Sequence, residues 1–554
     1  VPSRFAAVVL ILAGFLLGAT RMTLDDARGD DTPEGGPAEV ARDIATQVLT
    51  ETRDRPADDP ERLILLAAAI EKAPAEARGA LEAIRANWTW GYFMNNRWRF
   101  AQRTGGGVAS EDLKSIASWD LPKIVAEIRA RFAAALSEKD ALQKLPVAEW
   151  NAIIERGTMP DAYRPTVWDV VVRDALAFAE SGERGLVDPE DAFELSADGP
   201  ALGTRDEFLA WRPSEDPAVT DRDSPLLQAA DLYRDLLEFH KDDADRTALF
   251  SADLDRILWA SGHAVGDELA DRKGEALEAF IAKADDHETA ALARYHLATL
   301  VREENDLVEA RAIAAKAVAQ HPKSPGGKLC KNLIAEIEAK SLTVFVERTW
   351  ARPWPVLRVR YRNLADVHLR IVKADWLDRV LAGRPHAGWL DDAERVKLLA
   401  AAPAKTFKAD LPPTDDYQER SHDIPVPEDL GPGSYWVIAS PRGDFGENDN
   451  VVSAGLVWVS RLALVTNGSN PRAGQPLTGH VVDIASGEPL ANASVQMFVQ
   501  QQGHPPRFAP GKTATTDRDG RYELPAELLA ATRWSAVSPR TPGSSRRRRP
   551  TTRS

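Results

Sequence analysis

One cysteine, Cys330, stands in a chain of 554 residues. No disulfide can form within the chain and a zinc site built on cysteines is excluded, while the redox compartment stays open. Histidine is sparse too, with ten residues scattered singly. In "HETAA" His287 begins like a zinc-protease helix, but Ala291 occupies the place of the second ligand. Two histidines one turn apart are needed to face one metal, so His287 reads as a solvated helix residue. No G-x-S-x-G nucleophile elbow occurs. "SPGGKLCK" carries Gly327 and Lys328, yet Pro322 and Leu329 stand where a phosphate-binding loop needs Gly and Ser or Thr. Cys330 in that stretch lies on apolar helical spacing and reads as a packing residue. The N-terminal apolar run from Phe5 to Ala19 spans fifteen residues, short for a membrane crossing. These absences nominate no catalytic, cofactor-binding or metal-binding residue, and the chain reads as a non-enzyme.

Apolar residues make up 44% and charged residues 28%, the balance of a folded soluble protein. The length exceeds what one core supports and suggests about three domains. A formal net charge of −15 argues against a general nucleic-acid binder, since phosphates would be repelled.

Residues 1–22 place Arg4 before the apolar run, with Gly18, Ala19 and Thr20 after it. That order fits a signal peptide, with a membrane anchor as the alternative. Export removes the chain from ATP, so kinase or ATPase chemistry is not expected. Residues 23–60 are acidic and rich in Pro and Gly, a flexible linker with one short helix near Val40 to Thr52. Residues 61–340 have helical periodicity, as in "ERLILLAAAIEKA" and "DLPKIVAEIRARFAAALSEKDAL". Over 289–322 the offsets of Leu297, Ala298, Ala310, Ala317 and Pro322 match a tetratricopeptide-like hairpin, in which small residues let two helices approach and proline stops the second.

At Ser341 the period changes to two. "VLRVRYRN" sets Leu357, Val359 and Tyr361 against Arg358 and Arg360, and "VHLRIVK" repeats the alternation. Further strands over "GSYWVIASP", "GLVWVSRLALV", "LTGHVVDI" and "ASVQMFV" indicate antiparallel β-sandwiches, one over 341–459 and an incomplete second over 460–531. The fold class is therefore multidomain, α then β. Residues 532–554 form a basic irregular tail with seven Arg, no Lys and no acid. A genuine tail would suit an anionic partner. The preferred alternative is a natural sequence ending near Ala531, with the remainder out of frame, because a half-built sandwich leaves an open edge.

Three further features read as architecture. The cluster Trp88, Trp90, Tyr92, Phe93, Trp98 and Phe100 is expected as core where helices cross, in preference to a sugar or peptide platform. Asp391/Asp392 and Asp415/Asp416 are adjacent pairs in loops or helix starts, not carboxylates across a cleft. "TATTDRDGRYELP" fails as a calcium loop: Gly520, Arg521 and Leu528 fall where that loop needs other residues. Asp519-Gly520 instead predicts a tight hairpin turn with Thr515 and Tyr522 in the flanking strands.

Taken in order, "NNRWRFAQRT", "IASWDLPKIVAEI" and "YRPTVWDVVVRDALAF" resemble the helical N-terminal region of large bacterial alpha-2-macroglobulin-like proteins. "SLTVFVERTWARPWPVLRVRYRNLADVHLRIVKAD" resembles their first macroglobulin domain. "GHVVDIASGEPLANASVQMFV…TTDRDGRYELP" resembles a macroglobulin or carboxypeptidase-regulatory-type sandwich. The resemblance covers roughly residues 60 to 531. It implies an exported, non-catalytic part of an endopeptidase inhibitor of the periplasm or cell envelope, a protease trap made of β-sandwiches. Its partners would be proteases or other envelope proteins, with no nucleic acid, and with the membrane touched through the N-terminal anchor. Many members carry a thioester in a "CxEQ" context; "KLCKNL" around Cys330 departs from it, and no bait segment is recognisable. The rival reading is an envelope interaction scaffold, in which helical repeats bind a partner and the sandwiches act as spacers.

Overall fold

The computed structural model describes residues 36–56, 59–101, 113–154, 157–181, 193–213, 224–383, 390–467, 476–501, 507–525 and 534–537. The signal or anchor segment 1–22 and most of the basic tail lie outside the described residues. Two compact units divide the chain, Val1–Ala276 and Leu277–Ser554.

The N-terminal unit is helical. It comprises α1 (Pro37–Glu51), α2 (Glu61–Lys72), α3 (Ala75–Ala101), α4 (Leu121–Ser137), α5 (Lys139–Leu142), α6 (Val167–Ala179), α7 (Arg205–Ala210), α8 (Pro225–His240) and α9 (Thr247–His263), while α10 (Leu269–Ala284) runs across the division. The short helix expected near Val40 to Thr52 within the flexible linker is present as α1, and it is packed instead of being part of a mobile segment. Ala41, Ala45 and Val48 are buried, and the guanidinium of Arg42 donates to Glu149 at 2.8 Å. The apolar stripe of α1 outweighs the surrounding Pro and Gly, because burying it against α2 and α3 repays the ordering of the chain.

The C-terminal unit opens with α11 (Thr289–Glu303), α12 (Leu307–Gln320) and α13 (Pro325–Glu338). Ala298, Ala310 and Ala317 have no exposed surface, so the α11 and α12 backbones lie close together. Asn305 turns between them with φ +70°, and Asp306 caps α12 by accepting from the Glu309 N–H at 3.0 Å. Gly326 is required by sterics: a Cβ there would stand 2.2 Å from the Leu292 backbone nitrogen.

Strands begin at Ser341, three residues past the end of α13, where the apolar period changes. They are β1 (Ser341–Phe345), β2 (Thr349–Trp350), β3 (Leu357–Arg362), β4 (Asp366–Ala374), β5 (Lys405–Asp410), β6 (Arg420–Ile424), β7 (Gly433–Ser440) and β8 (Ser453–Val459). One sheet runs β1-β3-β6 and a second β2-β8-β7-β4-β5, with β2 and β8 parallel. Alternation sorts the side chains as expected: Leu357, Val359 and Tyr361 are buried while Arg358 and Arg360 are exposed. The inward residues of both sheets, among them Val344, Val359, Leu369 and Val437, share one apolar cluster.

The strand reading missed two helices between β4 and β5, α14 (Trp376–Leu381) and α15 (Asp392–Ala400). Each has a local start signal. Asp375 accepts from Asp378 N–H, and Asp391 forms a capping box with Glu394. They cover the outer face of the five-stranded sheet, where Trp376, Val380, Trp436, Ile438 and Trp458 form a second cluster. β7 is consequently buried on both faces.

The chain continues through β9 (Leu462–Thr466), β10 (Leu477–Asp483), β11 (Ser494–Gln501), β12 (Arg507–Thr515), β13 (Arg521–Leu524) and β14 (Trp534–Val537). These form two sheets, β13-β10-β9 and β12-β11-β14. β14 falls within the segment expected to be irregular; it pairs with β11 from Gln496↔Val537 to Val499↔Trp534.

The turn at Asp519-Gly520 exists, with φ +70° at the glycine, and Thr515 and Tyr522 sit in strands as expected. It does not close a hairpin. β12 pairs with β11 and β13 with β10, so the turn carries the chain from one sheet to the other. Asp517 organises it: its side chain accepts from the N–H groups of Asp519 and Arg521, both at 2.9 Å. Gly520→Ala should cost at least about 1–2 kcal/mol from its left-handed backbone. The added methyl would also meet Val481 O at 2.6 Å. Urea unfolding of the two proteins measures the difference, and an unchanged midpoint would refute this account.

Candidate functional site

The residues singled out in the sequence are mostly structural. Tyr92, Phe93 and Phe100 are buried, and Trp88 and Trp90 pack against the same core with Phe132 and Phe178. Trp98 is the exception at 61% exposure, with the Arg99 guanidinium 5.2 Å over its ring. His287 is not a helix residue. It sits in the turn before α11, and its Nδ1 accepts from the Thr289 N–H at 3.2 Å. Cys330 is fully buried, its Sγ 3.7 Å from Ala291 O, and burial pushes the thiol up to about 12. A thiol so far from ionisation is a packing residue. Asp391 caps α15, and Asp416 accepts from Gln418 N–H while pairing with Arg420 at 2.8 Å. Among the described residues no group of His, Cys, Asp and Glu is placed to hold a metal ion. No helix there is long and apolar enough to cross a membrane.

The concentration of charge lies elsewhere, in the N-terminal unit. The stretch Tyr163–Phe178 starts α6 with a capping box, Thr166 and Asp169. Asp169 is fully buried. Its Oδ2 accepts from Thr166 N–H at 3.0 Å and Oγ1 at 2.8 Å; its Oδ1 faces His240 Nε2 at 2.9 Å and Arg173 at 3.4 Å. The other ring nitrogen of His240 lies 2.7 Å from Asp243 Oδ2. Burial opposes charge on the ring, but the hydrogen bonds and charges of Asp169 and Asp243 outweigh it and raise the His240 pKa. Burial likewise works against the Asp169 carboxylate, and His240, Arg173 and Thr166 together hold it below the usual range.

Arg173 extends the chain of charges. Its Nε donates to Asp255 at 3.1 Å and Nη2 to Ser251 at 3.3 Å. Asp174, beside it, accepts from Asn87 at 2.8 Å and is raised to about 6 by burial, against the opposing influence of Asn87 and Arg164. Burial also raises Glu180 and lowers Arg164. A second buried pair ties the segment before α7 to α9: Arg256 binds Asp253 at 2.8 Å and the carbonyls of Ala201 and Gly203 at 2.6 and 3.0 Å.

Chemically, this is not a hydrolytic relay. Both nitrogens of His240 face carboxylates, so the imidazolium has no lone pair with which to take a proton from a nucleophile. What the arrangement does is fix α6, α8 and α9 through charge-assisted bonds. Sequence reasoning missed it because its members come from distant segments. The available signal was local: Asp169 and Arg173, one helical turn apart, interrupt the apolar face of "VWDVVVRDALAF".

The sequence "YRNL" has a defined task in the C-terminal unit. Tyr361 OH donates to Pro412 O at 2.8 Å. Arg362 Nη2 donates to Glu336 O at 3.0 Å and Asn363 Nδ2 to Ile337 O at 2.8 Å, satisfying the last carbonyls of α13. Leu364 is buried in the core between the sheets. Helices α11–α13 are thereby clasped to the first sheet pair.

No protein-family model and no curated protein matches the chain. Among solved structures, native alpha-2-macroglobulin from Escherichia coli, spanning domains MG0-NIE-MG1, is similar at 16% identity over 37% of this chain, with a TM-score of 0.28. The chain spans 62% of the length of that structure. A tetra-tandem repeat from the extending region of a large adhesion protein is similar at 14% identity over 37% of this chain and 46% of its own, with a TM-score of 0.14. The N-terminal part of the bacterial S-layer protein SbsC is similar at 10% identity over 83% of this chain and 99% of its own, with a TM-score of 0.13. All three scores lie below that of a shared overall arrangement.

Proposed function

We propose that this chain is the helical and first macroglobulin-type portion of an exported alpha-2-macroglobulin-like endopeptidase inhibitor, itself non-catalytic, working in the periplasm or cell envelope. In this reading the two sheet pairs are macroglobulin-type sandwiches and α11–α12 a tetratricopeptide-like hairpin. The observation that supports it is the "YRNL" clasp. Residues quoted for the family resemblance bind the end of the last helix to the first sheet pair, as a helical region leading directly into a macroglobulin domain requires. The order of elements supports it as well: helices, one pair of sheets with its own core, then a second pair with its own.

A trap blocks large substrates while leaving a protease able to cleave small ones. Lacking a recognisable bait segment and thioester motif, this chain should not trap by itself. Incubated with a panel of endoproteases, it should leave hydrolysis of both casein and a chromogenic peptide unchanged. The full-length protein containing it should suppress casein cleavage and spare the peptide. Peptide cleavage falling with casein cleavage would indicate an active-site inhibitor, and no effect of the full-length protein would overturn the proposal in favour of an interaction scaffold.

A further inference from the structure

The last residue of α8 is a buried histidine set between two carboxylates of unequal freedom. Nε2 of His240 lies 2.9 Å from Asp169 Oδ1 and Nδ1 lies 2.7 Å from Asp243 Oδ2. Asp169 is as buried as the ring, and Thr166 and Arg173 hold it in place. The Asp243 side chain is 40% exposed and lies in the turn 241–246 that leads into α9. Its backbone N–H donates to His240 O at 3.2 Å, so this one residue ties the turn to the end of α8 twice. An imidazolium at a helix C-terminus also meets the partial negative charge of the last carbonyls.

A carboxylate only accepts hydrogen bonds, so two of them can bind the ring only while both its nitrogens carry protons. A neutral ring keeps one N–H and turns a lone pair toward the other carboxylate. Burial decides which contact breaks. Asp169 has no route to water, and losing the ring would leave it a poorly compensated charge inside the protein. Asp243 reaches water by rotating its side chain. The other charges nearby are engaged. Arg173 of α6 shares Asp169 Oδ1 with the ring, Asp255 of α9 stands behind Arg173 at 3.0 Å, and Lys241 pairs with Glu238 at 2.9 Å. Beyond the turn α9 has its own anchors, Asp255 on Arg173 and Arg256 on the carbonyls of Ala201 and Gly203.

We propose that the His240–Asp243 contact is a pH-sensitive latch on the turn between α8 and α9. When the imidazolium gives up a proton it does so from Nδ1; Nε2–H stays on Asp169, Asp243 swings into water, and the turn is released while α6 and α8 remain joined. Burial opposes the charge on the ring, but the bonds and charges of Asp169 and Asp243 outweigh it and place the folded value above the ordinary one. The latch is therefore closed below about pH 6.5 and opens as pH rises through the folded value. It is read from the helical unit alone, so its failure would leave the proposed function standing, and the reverse holds too.

Nitrogen NMR of the whole chain, labelled in its histidines and titrated upward from about pH 6, tests this. The expected result is that Nδ1 of His240 moves to the shift of an unprotonated nitrogen while Nε2 keeps that of a protonated one. Over the same range the protection of the Asp243 amide against hydrogen exchange, corrected for the intrinsic rate, should fall about tenfold, the loss of one charge-assisted contact. Protection in α6 should hold. In Asp243→Asn the side-chain oxygen can accept from the charged ring and the NH2 can donate to the neutral one, so the pH step should vanish. Asp243 is partly exposed, so this variant should fold normally. Deprotonation at Nε2, equal loss of protection in α6 and the turn, protection of the turn that does not change with pH, or a step that persists in Asp243→Asn would each overturn the proposal.

Discussion

Asp169→Ala should lower the stability of the N-terminal unit by about 3–5 kcal/mol, the range for removing one partner of a buried ionic network. The side chain has no exposed surface, and both its oxygens are occupied by Thr166, His240 and Arg173. Removing it strips α6 of its capping box and leaves His240 and Arg173 to share the remaining carboxylates. Asp169→Asn should cost less, since the amide oxygen can still accept from one neighbour. The pH dependence gives a sharper test. The folded pKa of Asp169 is lowered, so its contribution is present above about pH 4 and is lost as pH falls through the folded value. That of His240 is raised, so its contribution is full below about pH 6.5 and is lost as pH rises through the folded value. The link therefore stabilises most between these limits. Denaturation midpoints of wild type and Asp169→Ala should differ most in that window and converge outside it. A constant difference across pH would show that packing, not charge, makes up the loss.

Trp458→Ala should be comparably severe, about 3–5 kcal/mol for an aromatic truncated in a core. Trp458 is 4% exposed on the outer face of the five-stranded sheet, and its ring meets Trp376 edge-on at 5.4 Å. Val380 of α14, Phe498 of β11 and Phe508 of β12 belong to the same cluster. The cavity would thus open where the inserted helices and the second sheet pair both pack. Loss of α14–α15 protection in hydrogen exchange should accompany the fall in stability, with the β1-β3-β6 sheet less affected. A uniform rise in exchange across both sheet pairs would argue against this localisation.

Legibility of the fold in the sequence followed the range of the interaction. The change of period at Ser341 and the alternation over Leu357–Tyr361 are local, and the strands lie where they indicate. Asp519-Gly520 announced a turn because positive φ is a property of one residue. Which strands that turn joins depends on partners far along the chain, and local turn chemistry pointed to a hairpin that the sheets do not contain. Helices α14 and α15 were overlooked for a related reason: each is short, and its caps are the plain signal. The local interruption of the α6 apolar face by Asp169 and Arg173 was legible, but the partner was not, since the Asp169–His240 contact closes over 71 residues. His240 looks like an ordinary surface residue until the helices bring it inside.

Phe498 and Phe508 have one more consequence. They project from the second sheet pair into the core on the outer face of the first, and two residues, Ser460 and Arg461, separate β8 from β9. Arg461 itself is held by Asp483 at 2.7 Å. A joint this short, with aromatic rings seated across it, removes the swivel expected of beads on a string. Tension applied along the chain at this point would be borne by shearing β7 and β8 against their neighbours rather than by straightening a linker, so the two sheet pairs would respond to load as a single stiff segment.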